Sequence, residues 1–286
     1  MVKLYDRNSR KIVYENESGK LFLDFLYNNF IGRIVLKFLI NPFISKIGGV
    51  YNNSFISKYK IKSFIRKNNI NINEYCSKNY KCFNDFFCRT IKLDYRPISD
   101  KGFISPADSK LSIYNITSDL VLNIKGSKYN LNELVDHKYD LSEYKNGMCL
   151  VFRLAVDDYH HYCYPDSGNL IKKTFINGKL HTVRSVSKEY KIYKLNQREF
   201  SVLDTLNFGE MIYIEVGALM VGKIVNHDKK KFKRGEEKGY FKLGGSTIVV
   251  LLKENMLKLD KDILDNYKDD VEILVKYREK IGDKYE

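Results

Sequence analysis

Beyond Asn84 the chain is a succession of short runs, "KLSIYNI" (110–116), "MCLVFRLAV" (148–156), "MIYIEVGALMVGKIV" (211–225) and "STIVVLL" (246–252), each bounded by Gly, Asn, Asp or Ser. β-Branched and aromatic residues between turn formers predict strands. Few long helical patterns interrupt them, so this part of the chain is predicted to be a β-rich, largely antiparallel body.

The region before it reads differently. In residues 20–40 Leu23, Leu26, Tyr27, Phe30, Ile34 and Phe38 recur at three- and four-residue steps, which predicts an amphipathic helix. Asp24, Arg33 and Lys37 interrupt its apolar runs well short of the ~18 residues a membrane span needs. "NPFISKIGG" (41–49) carries a proline and a glycine pair that should stop this helix, and a second, basic helix is expected from about Ser54 to Lys67. The apolar face can dock on the protein's own core, or lie in a membrane interface with Arg33, Lys37, Lys46, Lys58, Lys60 and Lys62 facing anionic lipid. The expected fold class is α+β, with an N-terminal helical, membrane-associating segment at 1–67 and a catalytic domain at 68–286.

A chain of 286 residues accommodates one substantial core with an appendage. The formal net charge of +14 points to anionic partners, whether nucleic acid, lipid headgroups or acidic metabolites. The basic run "DKKKFKR" (228–234) has Phe232 as its one aromatic, so stacking on nucleic-acid bases is not expected there. Five cysteines without a CxxC pair, in a chain without a signal peptide, fit a reducing compartment. His160, His161 and Cys163 are adjacent without a second ligand pair, and no metal site is expected.

"KLGGSTIVVLL" (242–252) places two glycines before a serine and a buried run. As a local pattern this is a turn leading into a strand. A phosphate loop would need a lysine after the second glycine, and a nucleophile elbow would need glycine where Ile248 stands. The peptide before Ser246 belongs to a glycine, so no Cβ blocks approach, a geometry that suits attack by Ser246 on its own backbone. Such a serine needs a base and an orienting group. "VFRLAVDDYHHYCYPDSG" (151–168) supplies His160 and His161, which point to opposite faces if the segment is extended, so one of them at most reaches a given site. Asp108 in "FISPADSK" is a candidate orienting acid, or a turn residue after Pro106.

Taken together, "SPADSK", "FRLAVDDYHHYCYPDSG", "GKLHTV", "VGALMVGKIV", "KRGEEKGYFKLGGST" and "KYREKIG" resemble, in this order, the phosphatidylserine decarboxylase family, and "FNDFFCRTIKLDYRPI" (83–98) is similar to the segment preceding its catalytic domain. The resemblance implies a pyruvoyl enzyme made as a proenzyme. Ser246 would attack the Gly245 carbonyl, and the resulting ester would break to leave chains 1–245 and 246–286 associated as a heterodimer. Loss of ammonia would convert residue 246 into a covalent pyruvoyl group, the only cofactor expected. That group would form a Schiff base with the amine of phosphatidylserine and act as the electron sink as carbon dioxide leaves.

By the same resemblance Asp108, His160 and Ser246 match the family's self-cleavage triad, His161 is the fallback for His160, and His181 approaches the substrate. The second histidine that many members carry three positions after His160 is Cys163 here, and a common glycine is Ser109. The basic run at 228–234 is read either as a solvated loop or as a contact with lipid phosphates. The expected partners are phosphatidylserine in an anionic membrane and the two chains themselves, with no nucleic acid and with homo-oligomers of the heterodimer compatible. The expected location is peripheral, on the cytoplasmic side of the cell membrane. Two alternatives stay open: a pyruvoyl decarboxylase of a soluble amino acid, and a non-enzymatic basic module that binds membranes.

Overall fold

The computed structural model describes residues 2–15, 20–77, 79–124, 127–178, 195–217, 223–227, 229–242, 246–268 and 270–285, with side chains at 20, 42–47, 122–124 and 127–129 outside the description. The β-favouring runs assemble into a ten-stranded sheet. From one edge to the other its strands are Lys231–Phe232, Gly168–Ile176, Arg198–Thr205, Gly209–Val216, Ser246–Leu252, Met148–Leu154, Ser109–Asn115, Val271–Val275, Val2–Asp6 and Lys11–Glu15. All neighbours are antiparallel except Val2–Asp6, which runs parallel to Val271–Val275.

Position in the sheet follows composition. Every residue of Ser246–Leu252 is buried, and its unbroken apolar run fills the middle of the sheet, covered on both faces. Gly168–Ile176 and Lys11–Glu15 near the edges are mostly exposed and carry lysines, which discourage further strand pairing. Ile248, Val249, Val250, Leu251 and Leu252 belong to one core cluster with Phe152, Phe200, Ile214 and Phe241. Removing each such side chain from water contributes about 1.5–3 kcal/mol.

A three-stranded sheet of Lys223–Asn226, Glu237–Lys242 and His161–Cys163 lies against this core, with the Tyr162 ring 6.4 Å from Tyr213 and 4.9 Å from Phe241. The stretch 211–225, read as a single run, is thus divided between two sheets. Another small sheet joins Lys258–Leu259, Lys280–Asp283 and Phe103–Ile104.

The N-terminal region departs from its expected course in two places. Residues 2–15, assigned by pattern to a helical segment, form a hairpin on the edge of the main sheet, where Lys3 pairs with Val271. Arg7 ties this hairpin to Asp260, Asp262 and Glu279 at 3.0, 2.7 and 2.8 Å. The apolar stretch 20–40 is two helices, Lys20–Asn28 and Phe30–Leu39, because Asn29 accepts from the N–H groups of Ile31 and Gly32 and caps the second. The two helices pack so closely that a Cβ on Gly32 would lie 1.9 Å from the Phe25 carbonyl oxygen.

The helix does end where proline and glycine predicted, but Pro42 opens a new one, Pro42–Asn53, from the first-turn position that tolerates it. The basic helix spans Tyr59–Lys67 and packs on the short helix Phe83–Phe87 through Phe64, Phe83 and Phe86. Among the described residues no helix is long and apolar enough to cross a membrane.

Candidate active site

Register brings Ser246 and the strand that follows Asp108 to one end of the main sheet. Ser246 opens its strand opposite Leu154, the last residue of Met148–Leu154. On the other side of that strand Lys110 opposes Arg153, so Asp108 arrives at the same sheet end. His160 lies on the loop that continues from Leu154, and its carbonyl accepts from Phe241 N–H at 3.0 Å, just upstream of Ser246.

Ser246 is fully buried, and among the described residues its Oγ has no hydrogen-bond partner. An unmade hydrogen bond of this kind costs about 1–3 kcal/mol, a penalty an alanine would avoid. Ser246 shares a sheet face with Glu215 and Tyr213, which oppose Ile248 and Val250 on the adjacent strand. Glu215 is itself fully buried and is ion-paired with the buried Lys238, whose ammonium lies 5.0 Å from the Tyr213 ring centroid. Burial raises the Glu215 carboxyl above its ordinary value, against the opposing pull of Lys238.

His160 is fully buried, with the Phe87 ring centroid 4.1 Å from its own. Its Nδ1 lies 2.8 Å from the Asp158 carbonyl oxygen. A carbonyl only accepts, so Nδ1 carries the proton and Nε2 of the neutral ring is the basic nitrogen. His160 immediately precedes the strand His161–Cys163, within which Tyr162 packs toward Tyr213.

His161 points the other way. It lies between the rings of Tyr159 and Tyr240 at 5.0 and 4.9 Å, with Nδ1 2.9 Å from Glu237 and Nε2 3.1 Å from the Cys88 carbonyl. Burial works to raise the Glu237 carboxyl, but hydrogen bonds and charge from His161 and then His227 hold it below the ordinary range. Both ring nitrogens of His161 are thus engaged, by Glu237 and by the Cys88 carbonyl. Cys163 directs its thiol to the Ser105 carbonyl at 3.8 Å, and burial pushes it up to about 12, so it stays a thiol at neutral pH.

Asp108 is buried and paired with an arginine. Arg96 grips its carboxylate with two hydrogen bonds of 3.0 and 2.7 Å, and the Tyr277 N–H donates to it at 2.7 Å. Burial alone would raise this carboxyl; the Arg96 hydrogen bond, the Lys276 and Arg96 charges and the Tyr277 N–H together hold it below its ordinary value. Asp108 lines a polar cavity of about 580 Å³ with Asp157, Asp158 and Tyr159, the residues that lead into His160.

Gly245 and His181 lie outside the described residues, as does Asp228 at the start of the basic run. Several residues at the site escaped sequence reasoning: Phe87, Arg89, Arg96 and the Glu215–Lys238 pair. The signal for the first three is the stretch "FFCRTIKLDYRP", whose paired aromatics and arginines sit too far along the chain to be linked to the histidine by pattern alone.

Comparison with known proteins gives a consistent result. A family model described as phosphatidylserine decarboxylase matches residues 83–283. Phosphatidylserine decarboxylase proenzyme 2 of Clostridium acetobutylicum is 49% identical over 286 residues, covering 99% of this chain and 98% of the relative. The phosphatidylserine decarboxylase proenzyme of Clostridium tetani is 39% identical over 294 residues, covering 100% and 99%. That of Clostridium perfringens strain SM101 is 38% identical over 295 residues, covering 99% and 100%.

Proposed function

Because this chain belongs to the phosphatidylserine decarboxylase family, we propose that Ser246 is the nucleophile of its self-cleavage, with His160 as base and Asp108 anchoring the sheet end on which both stand. The activity is that of a carboxy-lyase acting on phosphatidylserine, with phosphatidylethanolamine and carbon dioxide as products. The observation that supports the assignment is the Ser246 hydroxyl, buried and without a partner among the described residues at the start of a central strand.

The same observation fits a pyruvoyl group derived from residue 246, since no hydrogen bond among the described residues has to be broken before the hydroxyl can react. His160 Nε2 takes the hydroxyl proton as Oγ attacks the carbonyl of residue 245, and the peptide bond to 246 becomes an ester. Removal of the Cα proton of 246 then breaks the ester, releasing the carboxylate of 245; water exchanges for ammonia at the new terminus. The pyruvoyl group, once present, supplies a carbonyl that serves as an electron sink.

The remaining work belongs to the chain's own residues. Ser246–Leu252 is held between Gly209–Val216 and Met148–Leu154, and Val271–Val275 between Ser109–Asn115 and Val2–Asp6, so the two strands that a 246–286 fragment contributes to the main sheet are flanked on each side by strands of 1–245. This interleaving supports a heterodimer that survives cleavage. Phe87 and the buried aromatic core exclude water from His160.

Membrane contact is assigned to the N-terminal helices. Leu21 and Phe30 are 87% and 79% exposed, and Phe22, Ile31, Phe38 and Phe55 are exposed with them, near the exposed Arg33, Lys37 and Lys58. An apolar patch rimmed by cations fits an anionic bilayer surface, and a decarboxylase of a soluble amino acid would have no use for it.

Purified protein mixed with phosphatidylserine vesicles tests both parts. The expected result is co-flotation and release of carbon dioxide; changing Leu21, Phe22, Phe30 and Phe38 together to serine should abolish flotation and cut vesicle turnover by roughly tenfold or more, with self-cleavage intact. Unchanged flotation would remove the docking assignment, and an absence of carbon dioxide from the cleaved wild-type protein would remove the activity.

A further inference from the structure

Arg89 follows the short helix Phe83–Phe87 and is 1% exposed. Its guanidinium carbon lies 4.5 Å from the ring centroid of Tyr75 and 4.9 Å from that of Phe86, between the helical layer and the loop that carries the histidines. Nη2 donates to the carbonyl oxygens of Asp157 at 2.8 Å and Asp158 at 3.3 Å. The Asp158 carbonyl is also the acceptor for His160 Nδ1–H at 2.8 Å. One oxygen thus joins the guanidinium to the imidazole.

The neighbours of Arg89 act on the same loop. Phe87 covers the His160 ring, and the Cys88 carbonyl accepts from His161 Nε2. The Asp158 carboxylate is meanwhile occupied by Lys110 Nζ and the Ala155 N–H at 2.8 and 2.7 Å, so the loop is fastened on both sides.

Burying a guanidinium carries a desolvation penalty of several kcal/mol, and an apolar side chain of similar volume would fill the same space without it. What the apolar side chain cannot do is hold two successive carbonyls in a fixed direction. Holding the Asp158 carbonyl fixes the tautomer of His160 and the direction of its Nε2.

We propose that Arg89 is a positioning residue for His160, holding the Asp157–Asp158 carbonyls so that Nδ1 is anchored and Nε2 is presented as a proton acceptor. This rests on the assignment of His160 as the base of self-cleavage.

The test follows cleavage of newly made chain in cell-free synthesis, with wild type, Arg89→Met, Arg89→Lys and His160→Ala run in parallel. Arg89→Met should slow the appearance of the 1–245 chain by about a hundredfold, the cost of a catalytic group displaced by roughly 1 Å, and guanidinium ion added at a non-denaturing concentration should restore much of the rate. Arg89→Lys, with its charge but no planar fork, should fall between. Rescue distinguishes positioning from a general loss of stability, which guanidinium would aggravate. Cleavage of Arg89→Met at the wild-type rate, or slow cleavage that guanidinium leaves unmoved, overturns the proposal. If His160→Ala cleaves normally, the assignment of the base fails and the role of Arg89 fails with it; if only Arg89→Met does, the base stands and the inference alone falls.

Discussion

Ser246→Ala leaves the chain whole and without decarboxylase activity. The substitution removes the single oxygen that can attack the preceding peptide, and with it the precursor of the prosthetic group, so the loss is complete rather than graded. Folding should be untouched. The Ser246 hydroxyl is buried and has no hydrogen-bond partner among the described residues, so its removal breaks no interaction and spares a buried polar atom its desolvation cost. The thermal midpoint is therefore expected at or slightly above that of a wild-type sample. Denaturing electrophoresis beside a melting curve checks both halves, and a Ser246→Ala protein that still yields two chains would move the scissile bond elsewhere.

The second large effect separates two neighbouring residues. His160→Ala is expected to remain an uncleaved proenzyme, whereas His161→Ala should still cleave. The reason lies in the hydrogen bonds. His160 offers a basic Nε2 because Nδ1 is committed to the Asp158 carbonyl, while both nitrogens of His161 face acceptors, Glu237 and the Cys88 carbonyl. Losing a general base slows a reaction by about 10²–10⁴-fold, which should leave most of the chain uncleaved after expression. His161→Ala carries a different penalty. It leaves Glu237 with His227 alone, and it opens a gap between Tyr159 and Tyr240, so lower stability with retained cleavage is the expected phenotype. The reverse pair of phenotypes, read from the cleaved fraction of each purified variant, would place the base on the opposite face of the strand.

What could be read from sequence was local. Ser246–Leu252 announced itself as a buried strand because every residue after Thr247 is apolar and three are β-branched, and the glycines before it marked its start. Types of residue at the site were legible too, since a serine after two glycines and a pair of histidines limit the available chemistry. Contacts between distant segments were not. The hairpin at 2–15 finds its partner strand at Val271–Val275, at the far end of the chain, and nothing in its own pattern names that partner.

Asn29 shows a different kind of miss. Its capping side chain was visible in the letters, but the apolar period ran on across it and masked the break, so Leu26 and Tyr27 turn inward while Phe30 and Phe38 face out. What holds Asp108 is likewise tertiary, because Arg96 and the Tyr277 N–H that grip its carboxylate come from two separate segments. The carbonyl of Asp158 that meets His160 Nδ1 is a main-chain partner no residue pattern can display.

The central claim is that the chain makes its own prosthetic group from Ser246. Intact mass of the purified wild-type protein under denaturing conditions tests it most directly. The account predicts two species, one of residues 1–245 and one of residues 246–286 that is lighter than its sequence by one ammonia. A single unmodified chain, or a small fragment beginning with an intact serine, would contradict it.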